Sequence, residues 1–427
     1  MTEIKVVIGA NAGDEGKGLM TDYFCHKAMQ KSNKCLVVCS NGGAQRGHTV
    51  ETPEGIRHVF HHFGSGTLVG ADTYLPDKFI LNPMIFRKEY EELEKLGFIP
   101  KVYVNGKCII TTPYDMILNQ YLEFERGDNK HGSCGCGIWE TIVRNGEHNN
   151  TKIAFNVDSV LTSSSYIENP KQYLNGILSL IRNFFFYHRV RDEITSYKNV
   201  TLDKINERLK EYQWYDLLYS ETLMDNYIDD FLFMMSKVDI VEDNILKNYD
   251  QIVFENGQGL LLDENRKGNN TTPSSTGLKN PITLINKVYS EEEQLKEIKF
   301  EVCYVSRTYM TRHGAGSLEH ECEMDDISFC IQPDLTNITN PYQGKLRYAY
   351  LDTCDLDTRT DKDYHAYKNK FFSKTKTCAA THVNETNGRF KTPPGNHATD
   401  IIEYYVSDGK TRESVMLNKD FRVKYGV

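Results

Sequence analysis

Gly13-Asp14-Glu15-Gly16-Lys17-Gly18 decides how the rest of this chain is read. Ahead of it, Ile4-Lys5-Val6-Val7-Ile8-Gly9 is a short apolar run rich in β-branched residues and predicts a buried first strand. Behind it, Leu19-Met20-Thr21-Asp22-Tyr23-Phe24 opens a helical pattern. A strand, a glycine-rich turn and a helix together present backbone N–H groups and a helix N-terminus to a phosphate, and Lys17 adds a positive charge. The loop is not a Walker A sequence. Asn11 stands five residues before Gly16, where that motif has glycine, and Gly18 replaces the Ser or Thr that would hold magnesium. Asp14 and Glu15 would repel a phosphate unless one of them binds metal or moves protons.

Working outward, Val37-Val38-Cys39-Ser40-Asn41-Gly42-Gly43-Ala44-Gln45-Arg46-Gly47-His48-Thr49 is a second apolar run closed by a glycine-rich turn, now with a histidine. Alone, His48 reads as a turn residue satisfied by backbone. Paired with Asp14 and Lys17, it reads as one half of an acid–base pair flanking a phosphoryl group.

Strands alternate with helices over residues 1–115, with a helix from Met84 to Leu96 and a strand at Lys101–Val104, which implies βαβ units. From about 165 to 250 the chain turns helical, and aromatic runs such as Phe184–Tyr187 fit amphipathic helices covering a sheet better than a cofactor box. Gln251–Glu255 and Glu301–Tyr309 are further strands, and Arg347–Asp352 another; 263–280 is a long polar loop. The expectation is one domain over 1–427, a three-layer α/β fold with a parallel-rich central sheet and a helical insertion.

A net charge of −9 argues against a general nucleic-acid binder but leaves room for a nucleotide, which needs only a local cationic cluster. Eleven cysteines without a regular spacing predict free thiols. No signal peptide or apolar stretch of membrane-spanning length is found, so the expected location is the cytoplasm.

The two glycine-rich loops, with Asn41-Gly42-Gly43 and Gly47-His48-Thr49, resemble the signature of the adenylosuccinate synthetase family, which joins aspartate to C6 of inosine monophosphate using GTP and magnesium. His62-Phe63-Gly64-Ser65-Gly66, Leu81-Asn82-Pro83, Phe254-Glu255-Asn256-Gly257-Gln258-Gly259 and Thr311-Arg312-His313-Gly314-Ala315-Gly316 resemble further family motifs, in the right order. Removing a purine 6-oxygen requires that N1 lose its proton and O6 be phosphorylated. An acid near N1 and a cation or donor near O6 are the chemical minimum.

By this resemblance Asp14 is the base at N1 and, with the Gly47 carbonyl, a magnesium ligand. His48 stabilises charge on O6, and Lys17, with Gly13, Glu15, Gly16, Gly18 and Thr49, cradles the triphosphate. Asn41, Gln45, Ser133, Cys134, Gln258, Thr272 and Ser274 hold the purine monophosphate. Arg144 reaches its 5′-phosphate across a homodimer interface. The aspartate carboxylates need cationic forks, for which Arg312 and Arg347 with Thr339 are candidates. Where the family reads guanine with Thr-Lys-Leu-Asp, this chain has Thr381-His382-Val383-Asn384. A carboxylate accepts from guanine N1–H and its 2-amino group. An amide has a donor and an acceptor, the pair adenine requires.

His382 and Asn384 therefore point to ATP as phosphate donor. ATP use, with Gln45-Arg46 in place of Asn-Ala, is similar to a viral branch of the family that makes 2-aminoadenylosuccinate from (deoxy)guanosine monophosphate. Retention of Asp14 is instead like the enzymes for inosine monophosphate, because many members of that branch carry serine there. The reading adopted is the guanine-nucleotide branch, with the GTP- and inosine-dependent reaction as alternative. A GTP-sensing regulator is a rival of another class, but it would not need Asp14, His48 and Gln258 together.

Overall fold

The strand expected at Ile4–Gly9 runs over Glu3–Gly9 (β1), and on each side of it lies a strand from far along the chain. The computed structural model describes residues 2–129, 131–146, 152–266, 270–291, 297–332, 336–337, 344–367, 373–394 and 404–425. In chain order the strands after β1 are Cys35–Val38 (β2), His48–Glu51 (β3), Arg57–Phe60 (β4), Asp72–Leu75 (β5) and Val102–Val104 (β6). Then come Val238–Ile240 (β7), Gln251–Gly259 (β8), Lys299–Arg307 (β9), Met310–His313 (β10) and Glu321–Cys322 (β11). Leu346–Ala349 (β12), Ser373–Thr381 (β13), Tyr405–Ser407 (β14) and Val415–Leu417 (β15) complete the set. Ten of them form one sheet in the order β15-β14-β13-β9-β1-β8-β2-β5-β6-β7, parallel throughout except for the β14–β15 edge.

Both faces of the sheet are covered, which is why central strands such as β2 and most of β8 are buried without alternation. On one face Val7, Val37, Val253 and Val305 pack in one cluster with Leu19, Met20 and Phe24 of the helix Lys17–Gln30 (α1). On the other, Ile4, Val6, Ile8, Leu36 and Phe254 pack with Ile282 and Ile285 of the helix Lys279–Val288 and Leu356 of Thr353–Ala366. These are the three layers.

The helix expected at Met84–Leu96 is Pro83–Lys95 (α2), capped by Asn82, whose side chain accepts from Ile85 N at 3.3 Å, with proline at its first position. The helices Pro113–Arg126 (α3) and Ile138–Asn145 (α4) follow. Helices fill most of 157–237, and Phe185, Phe186 and Tyr187 are buried in the first cluster, as a packing role requires. The strand expected at Arg347–Asp352 is β12. It belongs to a small antiparallel sheet with β10 and β11 rather than to the central one.

Candidate active site

In a parallel sheet covered on both faces, the loops that leave the carboxyl ends of the strands converge on one edge. Here the turns after β1, β2, β8, β9 and β13 line a single cleft of about 1910 Å³. The turn after β1 is shaped by Gly16, whose left-handed φ of 93° lets α1 begin at Lys17. Gly18 lets α1 approach β3, because a Cβ there would lie 2.9 Å from the Thr49 carbonyl oxygen.

Asp14 and Glu15 have opposite surroundings. Glu15 is buried and accepts from Asn11 N (3.0 Å), Gly13 N (2.8 Å) and Lys17 Nζ (2.7 Å). Burial pushes its carboxyl up, but the Lys17 charge and these hydrogen bonds outweigh it and hold the group below its ordinary value. The loop thus neutralises one of its two acids internally. Asp14 lines the cleft in a left-handed backbone conformation (φ 61°) and accepts from Asn337 Nδ2 at 3.0 Å. Its carbonyl accepts from Arg307 Nε, which fastens the loop to the end of β9.

His48 opens β3 and is buried. Its Nδ1 lies 2.9 Å from Glu255 Oε1 and its Nε2 3.3 Å from the Gly257 carbonyl oxygen. Burial lowers the proton affinity of the ring, opposed by Glu255, and leaves it below the ordinary histidine value. Behind Gly257, Gln258 Oε1 faces Asn41 Nδ2 (3.3 Å) and Ser274 Oγ (3.5 Å), and Asn41 Oδ1 accepts from Gly257 N (2.8 Å). Gln45 reaches the same corner: a Cβ on Gly42 would touch Gln45 Nε2 at 3.1 Å and Gln258 Nε2 at 3.2 Å.

Gly13, Gly16, Lys17, Gly18, Gly47, Thr49, Ser133, Cys134, Thr272, Arg312, His382 and Asn384 also border this cleft. Ser133 Oγ donates to Asn119 Oδ1 (2.9 Å), and Asn384 is exposed on the cleft wall. Asp14 and the Gly47 carbonyl are hard oxygen donors of the type magnesium takes, and its remaining positions are ordinarily filled by water and phosphate. Among the described residues there is no cluster of three or more His, Cys, Asp or Glu that could hold a metal ion.

Four expected residues need correction or fall outside. Arg144 does not enter the cleft. It is fully buried, donating to Asp115 (2.9 and 2.8 Å) and to the Ile110 (2.7 Å) and Ile153 (3.2 Å) carbonyls, so its fork already has partners within the same chain. Arg347 is paired with Glu321 and donates to the Gly314 (3.0 Å) and Gly316 (2.8 Å) carbonyls, away from the cleft. Arg312 borders the cleft, but its nitrogens serve the Ala315, Ser317 and Asn270 carbonyls, so both arginines brace the Gly314–Gly316 turn as it stands. Thr339 lies outside the described residues.

Sequence reasoning gave no role to Glu255, which faces the His48 ring, or to Arg307, which holds the Asp14 carbonyl. Their signal was a charged residue at or just past the end of a buried apolar run, Ile252–Phe254 before Glu255 and Val302–Val305 before Arg307.

A family model described as adenylosuccinate synthetase matches residues 6–342, and the chain belongs to that family. Adenylosuccinate synthetase of Microcystis aeruginosa is 28% identical over 340 residues, covering 74% of this chain and 62% of that protein. A Prochlorococcus marinus relative of the same name is 29% identical over 332 residues, covering 74% and 64%. The chain thus spans less than two thirds of the length of these relatives. Two solved structures share the fold. Fully ligated adenylosuccinate synthetase from Plasmodium falciparum superposes with a TM-score of 0.60 at 15% identity over 97% of this chain and 99% of the other. Cyanophage S-2L succinoaminodeoxyadenylate synthetase, bound to dGMP and to dATP as an energy donor, gives 0.58 at 11% over 100% and 99%.

Proposed function

We propose that this protein is a homodimeric ligase that forms a bond between the amine of L-aspartate and C6 of a 6-oxopurine mononucleotide. The observation that carries the reading is the convergence of Asp14, Lys17, His48 and Gln258 from three loops on one cleft. Asp14 takes the N1 proton, and O6 then attacks the γ-phosphorus with departure of the nucleoside diphosphate. The aspartate amine adds to C6, and inorganic phosphate leaves from the 6-phosphoryl intermediate. His48 bears on the charge that develops at O6, and Gln258, steadied by Asn41 and Ser274, orients the purine. Lys17, balanced against Glu15, faces the triphosphate. Magnesium, held by Asp14 and the Gly47 carbonyl, would neutralise phosphate charge.

For the finer identity of the substrates, this reading gives Asn384, exposed on the cleft wall, the task of reading the donor base; its amide suits adenine, so ATP is the proposed donor. The proposed acceptor is guanosine or deoxyguanosine monophosphate, giving a 2-amino product for diaminopurine synthesis. Retention of Asp14 favours the second reading, GTP with inosine monophosphate.

Turnover assays with magnesium and aspartate, crossing ATP and GTP against inosine, guanosine and deoxyguanosine monophosphates, separate the two. Product only from ATP with a guanine nucleotide supports the first reading. Product only from GTP with inosine monophosphate overturns it, and absence of product from every pair removes both.

A further inference from the structure

The chain between α3 and α4 turns back along the helix it has just left, and α3 holds it along its length. Glu123, only 2% exposed, accepts from His131 N (3.3 Å) through Oε1 and from Gly132 N (2.8 Å) through Oε2. One turn earlier, Asn119 Oδ1 accepts from the Ser133 hydroxyl (2.9 Å), and Gln120 Nε2 donates to the Gly135 carbonyl (3.1 Å). At the far end a Cβ on Gly137 would lie 2.7 Å from the Met116 nitrogen, so α4 starts directly against the first turn of α3. Residues 131–137 therefore run along α3 in reverse, from Glu123 back to Met116.

Such a segment needs a support, because its own sequence does not stiffen it. Gly132, Gly135 and Gly137 sit at φ of 75°, 76° and 71°, a region that glycine enters freely and leaves as freely. A loop hinged in this way has much freedom to lose when it closes on a ligand, so its affinity depends on what fixes it beforehand. Glu123 and Asn119 are four positions apart and share one face of α3, which matches the direction of the returning chain. The Glu123 charge is met by Arg126, whose Nη1 lies 2.7 Å from Oε1 and whose Nη2 reaches Glu193 at 3.4 Å. Beyond the two N–H groups that Glu123 holds, Ser133 and Cys134 border the cleft.

We propose that Glu123, with Gln120 beside it, positions the binding loop for the acceptor's 5′-phosphate: the two side chains hold the backbone of 131–137 from behind, so that the Ser133 hydroxyl and the peptide groups next to it meet the phosphate already in place. The inference rests on the reading of the cleft as the site of a purine mononucleotide, with Ser133 and Cys134 beside it. A carboxylate suits the task where an amide does not. Its two oxygens take His131 N, Gly132 N and Arg126 together, whereas glutamine has one acceptor oxygen and would turn its NH₂ toward a donor.

The test is calorimetric binding of inosine and guanosine 5′-monophosphates to the full-length protein, beside binding of ATP and GTP and the steady-state constants. Glu123→Gln is expected to weaken the mononucleotide that the parent binds by about tenfold or more, the effect of losing hydrogen bonds to a charged group. Binding of the triphosphate should stay within about twofold of the parent. In turnover the KM for the acceptor should rise by the same factor, with kcat at saturation within about threefold. Gln120→Ala, at a partly exposed position, should show the same selectivity with a smaller loss, about fivefold. Unchanged mononucleotide binding by folded Glu123→Gln would make Glu123 a packing residue and overturn the proposal, as would equal weakening of mononucleotide and triphosphate. Should Glu123→Gln fail to fold, Gln120→Ala decides: selective weakening of the mononucleotide supports the proposal, and unchanged binding overturns it. A parent protein that binds neither monophosphate would instead remove the acceptor reading itself, and this inference with it.

Discussion

At the scale of single residues, the loop after β1 shows how two adjacent carboxylates acquire different work. Glu15 is enclosed by two backbone N–H groups and an ammonium and completes the loop. Asp14 faces the cleft from a backbone conformation that aspartate and asparagine tolerate better than most residues. Asp14→Asn changes the charge and keeps the shape, so turnover should fall by roughly 10²–10⁴. The melting temperature should stay within about 2 °C, equivalent to less than 1 kcal/mol. Steady-state assays beside thermal melts check both, and undiminished turnover would take Asp14 out of the mechanism.

At the scale of elements, α3 and α4 are joined by Asp115 and Arg144. Asp115 closes the capping box of α3 with Thr112 while accepting both arms of the Arg144 guanidinium. Arg144→Met leaves that carboxylate buried and uncompensated, and should cost about 3–5 kcal/mol of unfolding free energy. Urea unfolding measures it. The Michaelis constant for the acceptor nucleotide, taken where the variant is folded, should be unchanged; a large rise confined to that constant would return Arg144 to the phosphate site.

The same pair shows what was legible in the chain. The glycine-rich turns could be read locally, since only glycine at positions such as Gly16 permits the required backbone, and apolar runs before them implied buried parallel strands. An arginine in a short amphipathic helix reads alike whether it faces a phosphate or an aspartate. Asp115 lies 29 positions away, and nothing near Arg144 announces it. Arg347 was opaque for the same reason: Glu321, 26 positions earlier, decides where its fork points. His48 was visible as a candidate, but the Glu255 that faces it could not be connected to it before β2 and β8 were placed side by side.

At the scale of the molecule, two buried acids give opposite dependences of stability on pH. Glu255 is held down to about 2 although burial alone would raise it, because His48, Arg46 and Ser65 favour its charge. Its contribution is complete above about 4.5, the unfolded value, and is lost as pH falls from there toward 2. Asp22, on α1, is raised to about 6 by burial, which Arg412 only partly offsets. The fold therefore holds a proton that the unfolded chain releases, and stability falls as pH rises from about 3.8 to 6, by roughly 3 kcal/mol at the upper end. Thermal melts at pH 4.5 and 7 should show the parent losing ground to Asp22→Asn at the higher pH. A constant difference between the two proteins would refute the assignment.

The position of β1 has a further consequence, in time rather than in space. Its hydrogen-bonded neighbours are β8 and β9, so the strand that leads into the Asp14 loop is made long before either of its partners. During synthesis Ile4, Val6 and Val7 emerge as an apolar strand with no edge to join until some 250 further residues have followed, as the pairing of Glu3 with Gln251 requires. Such long-range pairing is slow and leaves sticky intermediates exposed. A nascent chain stalled before Gln251 should be seized by chaperones and unable to retain nucleotide, and completion of β9 is the event that closes the sheet around the first strand.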